Sequence, residues 1–158
     1  MSSPTAPSID WLSQEEMQAW RGYVETNSDL MAALERDLAP TGLNLGDYQV
    51  LVFLSESPER LLRMCDLAGR LQLSPSGLTR RLDGLVRANL VERRRSASDR
   101  RVMLAALTSK GLRVLEDSAP VHVASVRRRM IDLLDDDELR VIAGVFQKIR
   151  ARLEDDCQ

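Results

Sequence analysis

The sequence predicts a mainly α-helical fold carrying one small β-hairpin, and three observations predict it. Apolar residues recur at threes and fours along most of the chain, residues that cap helices stand where those patterns begin, and two short apolar segments between Leu90 and Thr108 face each other across an arginine-rich polar turn. The 158 residues suit one domain or a small domain with an appended one, and 44% apolar content is enough for a core. Aromatic residues are scarce, so Leu, Val and Ala have to fill it.

Residues 1–12, with Pro4 and Pro7 among Ser, Thr and Ala, read as a flexible arm. Ser13-Gln14-Glu15-Glu16 has the capping-box pattern and opens a helix toward Leu38, with Trp20, Val24, Leu30, Met31 and Leu34 on its apolar side and Pro40 and Gly42 ending it. A second helix runs from about Gly46 to Ser55, until Ser57-Pro58 breaks it. A short amphipathic piece follows from about Arg63 to Leu71. Ser74 then caps another helix with Pro75 at its first position, where the missing N–H costs nothing. Two helices joined by a tight turn describe a helix-turn-helix. The segments Leu90 to Arg95 and Arg101 to Leu107 form the hairpin, which makes the motif winged. Thr108 caps a long helix that Pro120 is expected to kink, and Asp135-Asp136-Asp137-Glu138 opens the last helix, with Leu139, Ile142, Val145, Phe146, Ile149 and Leu153 in helical register.

Charge points to a polyanion. The chain as a whole carries −2, but residues 60–101 carry +7 and the remainder −9. A basic centre between acidic flanks suits phosphate binding in a scaffold that otherwise repels phosphate. On the helix from Ser74 to Ala88, Leu78, Leu82, Leu85 and Val86 form the buried stripe, while Ser76, Thr79, Arg80, Asp83 and Arg87 lie opposite. That polar face suits insertion into a DNA major groove, with Ser74, Pro75, Ser76, Thr79, Arg80, Arg81 and Arg87 as candidate contacts and Arg80 as the base reader. Gly77 and Gly84 share a flank where another helix or the DNA backbone can come close. On the hairpin, Arg93, Arg94 and Arg95 are expected at phosphates, and Arg100 or Arg101 in the minor groove. Ser98 belongs to the tip, where Asp99 is expected to hold a neighbouring arginine in one pose.

Other chemistries are poorly supplied. One histidine, no paired nucleophile and base, and no glycine-rich phosphate loop argue against an enzyme. Cys65 and Cys157 stand far apart without a CxxC pair, so neither a metal site nor a disulfide framework is indicated, and no cofactor is expected. No apolar run approaches the roughly 20 residues of a membrane span, and the polar start lacks the features of a signal peptide, so a cytoplasmic protein without membrane contact is expected. Trp20, Arg21, Met64 and His122 are candidates to line a small-molecule pocket. For the first three the competing reading is plain core, and for His122 a partly exposed helix position.

Ser98-Asp99-Arg100-Arg101 followed by Leu104, Leu107, Thr108 and Gly111, together with Leu78-Thr79-Arg80, Asp83 and Leu85, resembles the multiple antibiotic resistance regulator (MarR) family of bacterial transcription factors. The resemblance covers nearly the full chain. It implies a homodimer with interlocking terminal helices, binding to a palindromic double-stranded operator, and often release by a small-molecule effector; with the segregated charge and the wing, a repressor is expected. Residues 13–45 and 109–158 then form a helical dimerisation region and residues 46–108 the winged helix-turn-helix. Arg81 and Gly84 depart from the family pattern, which implies a larger apolar residue and a charged one there. Independently of the resemblance, the first and last helices offer more apolar surface than one winged helix can cover. The alternative is a winged-helix module whose basic face binds an acidic protein partner.

Overall fold

The computed structural model describes residues 9–155. Nine regular elements follow one another: α1 (Gln14–Leu38), α2 (Leu45–Ser55), β1 (Leu61–Arg63), α3 (Met64–Arg70), α4 (Pro75–Arg87), β2 (Val91–Arg95), β3 (Met103–Leu107), α5 (Ser109–Arg129) and α6 (Asp136–Asp155). Two compact units divide the chain, residues 1–33 and 34–158, and α1 begins in one and ends in the other. Most of the expected arm, residues 1–8, lies outside the described residues, as does Cys157; residues 9–12 have no regular structure.

In the first unit the capping box forms as the sequence predicts. The Ser13 amide donates to Glu16 Oε2 at 2.8 Å and the Glu16 amide donates to Ser13 Oγ at 3.2 Å. The Trp20 and Tyr23 rings lie on one helix face with centroids 6.1 Å apart.

The second unit holds the core. Leu51 and Leu54 of α2, Leu67 of α3, Leu78, Leu82 and Leu85 of α4, and Val91 and Ala105 of the sheet are almost fully buried against one another. Each large aliphatic among them stabilises the fold by about 1.5–3 kcal/mol. The predicted α4 stripe is therefore the face that packs. Its N-terminus is as expected: Ser74 accepts the Gly77 amide at 3.1 Å and Pro75 occupies the first turn. The turn between α3 and α4 closes through Gln72, whose φ of 53° is in the left-handed region.

The sheet corrects the sequence reading. It has three antiparallel strands in the order β1-β3-β2, not two, with Leu61, Leu62 and Arg63 opposite Ala106, Ala105 and Leu104. A three-residue strand is too short to display alternation, and it exists here because β3 offers a free edge. The chain reaches that edge by reversing through Glu59 and Arg60, both left-handed at φ 53° and 57°. The return strand also starts later than expected, at Met103, because residues 96–102 are taken up by the wing tip.

α5 continues through Pro120. Its N-terminus is fastened to the end of α4 and the start of β2. The Thr108 hydroxyl lies 2.7 Å from the Asn89 carbonyl and 3.1 Å from that of Leu90 and accepts the Gly111 amide at 2.9 Å, and Lys110 Nζ donates to the Ala88 carbonyl at 2.8 Å. Gly111 is required there, since a Cβ would stand 2.1 Å from the Leu90 carbonyl oxygen. At its other end α5 meets Asp37. That carboxylate accepts from Ser125 Oγ at 2.6 Å, from Arg128 Nη2 at 2.8 Å and from Arg129 Nε at 2.9 Å. The Ser125 hydroxyl first, and then Arg129, hold the Asp37 carboxyl below the ordinary aspartate range. Arg127 pairs with Asp132 at 2.6 Å, so the Arg127-Arg128-Arg129 run makes ion pairs with acidic residues.

Candidate nucleic-acid interface

The arginines between α4 and the wing fall into two groups that the sequence does not separate. Arg81, Arg93 and Arg94 are held by carboxylates of the protein itself. Arg80, Arg87, Arg95, Arg100 and Arg101 are exposed, and their guanidinium groups have no hydrogen bond or ion pair among the described residues.

Arg81 leaves the polar front of α4 and reaches α2. Its Nη1 donates to Asn44 Oδ1 at 3.1 Å and to Asp47 Oδ1 at 3.2 Å. Asn44 caps α2 by accepting the Asp47 amide at 2.8 Å, so one small network joins the cap of α2 to the middle of α4. The guanidinium lies so close over Gly46 that a Cβ there would be 2.1 Å from Nη1. A cation beside a helix N-terminus is unfavourable, and Asp47 offsets it.

Arg93 also turns inward, although it sits on the wing. Its Nη2 donates to Asp83 Oδ1 at 2.7 Å and to the Thr79 carbonyl at 3.0 Å, fixing β2 against α4. Asp83 thus holds an arginine in one pose. Asp99 does something else: its Oδ1 accepts the Arg101 backbone amide at 2.9 Å, and the Asp99 carbonyl accepts the Val102 amide at 3.0 Å. It shapes the turn that presents Arg100 and Arg101 and leaves both guanidinium groups free. Ser98 lies in the same turn, its amide donating to Ser96 Oγ at 3.3 Å. Arg94 pairs with Glu92 on the strand.

On α4 the small polar residues are partly engaged with their own helix. Ser74 Oγ and Ser76 Oγ lie 3.2 Å apart, and the Thr79 hydroxyl donates to the Pro75 carbonyl at 2.9 Å. Arg80 and Arg87 project from the exposed side, and both border a groove of about 480 Å³ lined also by Asn44, Asp47, Leu73, Gly77, Arg81 and Gly84.

The candidate pocket residues divide between the units. Trp20 and Arg21 are exposed on the first, with Trp20 beside Tyr23. In the second, Met64 packs on the core, and the half-buried His122 lies over the Tyr48 ring with centroids 4.6 Å apart. Burial lowers the His122 pKa and raises that of Tyr48, so both rings favour the neutral state. Among the described residues no group of His, Cys, Asp or Glu could hold a metal ion, and no helix is long and apolar enough to cross a membrane.

Residues 41–102, which span the helix-turn-helix and most of the wing, match the MarR family profile. The chain is similar to AbsC, a MarR family transcriptional regulator from Streptomyces coelicolor, with a TM-score of 0.88 and 42% identity over 92% of this chain and 99% of that one. Sco3205, a MarR family transcriptional regulator from the same organism whose structure is in complex with DNA, gives a TM-score of 0.86 and 34% identity over 90% of this chain and 94% of the other. In sequence the chain is 27% identical to the transcriptional repressor YetL of Bacillus subtilis strain 168, over 73% of this chain and 71% of that protein.

Proposed function

Since the chain belongs to the MarR family of DNA-binding transcription regulators and is not an enzyme, we propose that it acts as a homodimeric repressor of a palindromic operator. The observation that carries this reading is the group of five unpaired arginines on α4 and the wing. An exposed cation without an internal partner keeps its full attraction for phosphate, whereas the paired Arg81, Arg93 and Arg94 fix the geometry of the reader. α4 enters the major groove, with Arg80 the residue placed to grip a base edge. The wing lies along the adjacent minor groove, with Arg100 and Arg101 at its tip.

Unpartnered apolar surface supports the dimer. Val141, Val145, Ile149 and Leu153 recur every fourth residue on α6 and are between 49% and 65% exposed. In the other unit Trp11 is 78% and Trp20 56% exposed. Apolar stripes of that extent mark protein contacts. A two-fold dimer sets the recognition helices about 34–36 Å apart, one turn of DNA.

Selection of bound duplexes from a random library by the purified protein tests the proposal. The expected product is a palindrome with half-sites about 10 base pairs apart. A pool without sequence preference would contradict it and would favour a basic face that binds an acidic protein. Release by a small-molecule effector, which the family resemblance implies, is read in the same assay as loss of the bound duplex.

A further inference from the structure

The C-terminal half of α4 contains a glycine whose absent side chain nothing else in the described residues explains. Glycine weakens a helix interior relative to alanine, so each one calls for a reason. Gly77 has one: a Cβ there would stand 3.2 Å from Ser74 Oγ, the hydroxyl that accepts the Gly77 amide. Gly84 has none among the described residues. Among the described residues a Cβ built on it meets no atom within 4 Å beyond its own stretch of helix, its φ is not left-handed, and it is exposed. The missing side chain leaves open space at the surface, as at Gly22, Gly69 and Gly144, and what sets Gly84 apart is what could occupy that space.

The surroundings of Gly84 indicate what that is. It lies in the groove of about 480 Å³ between α4 and the N-terminus of α2, four residues after Arg80 and three before Arg87, on the same helix side. Three arginines and one aspartate line this groove, and Asp47 is already neutralised by Arg81, which leaves the Arg80 and Arg87 side chains without partners among the described residues. Those two stand about 10 Å apart along the helix axis. A single small anion cannot serve both. A nucleic-acid strand can, presenting base edges toward the N-terminal half of the helix and phosphates farther along. We infer that one strand of the DNA sugar-phosphate backbone lies against bare helix backbone at Gly84, with its phosphate held by Arg87. This rests on the DNA-binding reading above and deepens it, because it makes Gly84 a residue that sets affinity without touching a base.

Gly84→Ala and Gly84→Leu test the inference, with thermal unfolding and affinity measured for two duplexes of equal length, the selected operator and a random sequence. Because a Cβ meets nothing in the free protein, Gly84→Ala is expected to raise Tm by about 2–4 °C. Gly84→Leu should bind both duplexes about tenfold or more weakly, with the slope of log affinity against log salt unchanged, since no cation is lost. Wild-type affinity in Gly84→Leu would overturn the inference while leaving DNA binding intact. A fall in Tm in Gly84→Ala would overturn it too, by showing that the glycine serves the fold. Failure of the wild-type protein to bind either duplex would instead remove the DNA-binding reading on which the inference stands.

Discussion

Alanine at Gly111 is expected to destabilise the protein by about 3 kcal/mol or more, a large loss for a single added methyl group. The added Cβ would stand 2.1 Å from the Leu90 carbonyl oxygen, 2.8 Å from Leu107 Cδ1 and 2.9 Å from the Leu90 carbonyl carbon. Two of these are main-chain atoms, and they have little freedom to yield. The Leu90 carbonyl accepts the Thr108 amide at 3.1 Å, and Leu90 leads directly into β2. Displacing it also disturbs the Thr108 hydroxyl, which caps α5 and lies within 3.1 Å of the same carbonyl. Gly46→Ala makes a useful contrast. Its Cβ would be equally close to a neighbour, but that neighbour is the far end of the Arg81 side chain, which can swing away. The loss is then limited to a partly exposed ion pair, worth about 0–1 kcal/mol. Denaturant unfolding of the two variants checks the ordering. Equal losses, or a loss under about 1 kcal/mol at Gly111, would show that the contact between α5 and β2 is not fixed as described.

Arg80→Ala and Arg81→Ala should differ sharply although the residues are adjacent and alike. Arg80 is exposed and unpaired on the side of α4 that faces away from the core, so its guanidinium is available for two parallel bonds to a base edge. Its loss is expected to weaken binding to the selected operator about 5- to 150-fold and to relax the choice of base at one position in each half-site. Arg81 donates to Asn44 and Asp47. Its replacement should leave the preferred sequence unchanged and lower the stability of the α2–α4 contact instead. Affinities for the operator and its single-base variants separate the two effects. Relaxed base choice in Arg81→Ala and none in Arg80→Ala would reverse the assignment.

The contrast between these neighbours also marks how far the sequence can be read. Features set by residues a few positions apart are legible in it: the Ser13–Glu16 capping box, the Ser74 cap followed by Pro75, and the buried face of Leu78, Leu82 and Leu85. What depends on a distant partner is not. Arg81 meets Asp47 from 34 positions away, and β1 is a strand only because β3 passes beside it. Arg93 and Asp99 are recognisable as wing residues, yet their partners follow from strand twist and turn shape, which periodicity does not encode. Arg93 therefore faces Thr79 and Asp83, and Asp99 binds a backbone amide. Gly84 stands out as a departure from the family pattern, but only the empty space around its Cβ distinguishes it from Gly77.

The central claim is that unpaired arginines carry the attraction to DNA while paired ones hold the reader in shape. The salt dependence of operator affinity tests it most directly, measured for the wild-type protein and for the double variant Arg100→Ala, Arg101→Ala. Each phosphate contact contributes about −0.9 to the slope of log affinity against log salt. The expected result is a steep wild-type slope that becomes shallower by up to about 2 in the double variant, with the melting temperature unchanged because neither guanidinium has a partner among the described residues. A wild-type affinity indifferent to salt, or a double variant with the full wild-type slope, would contradict it.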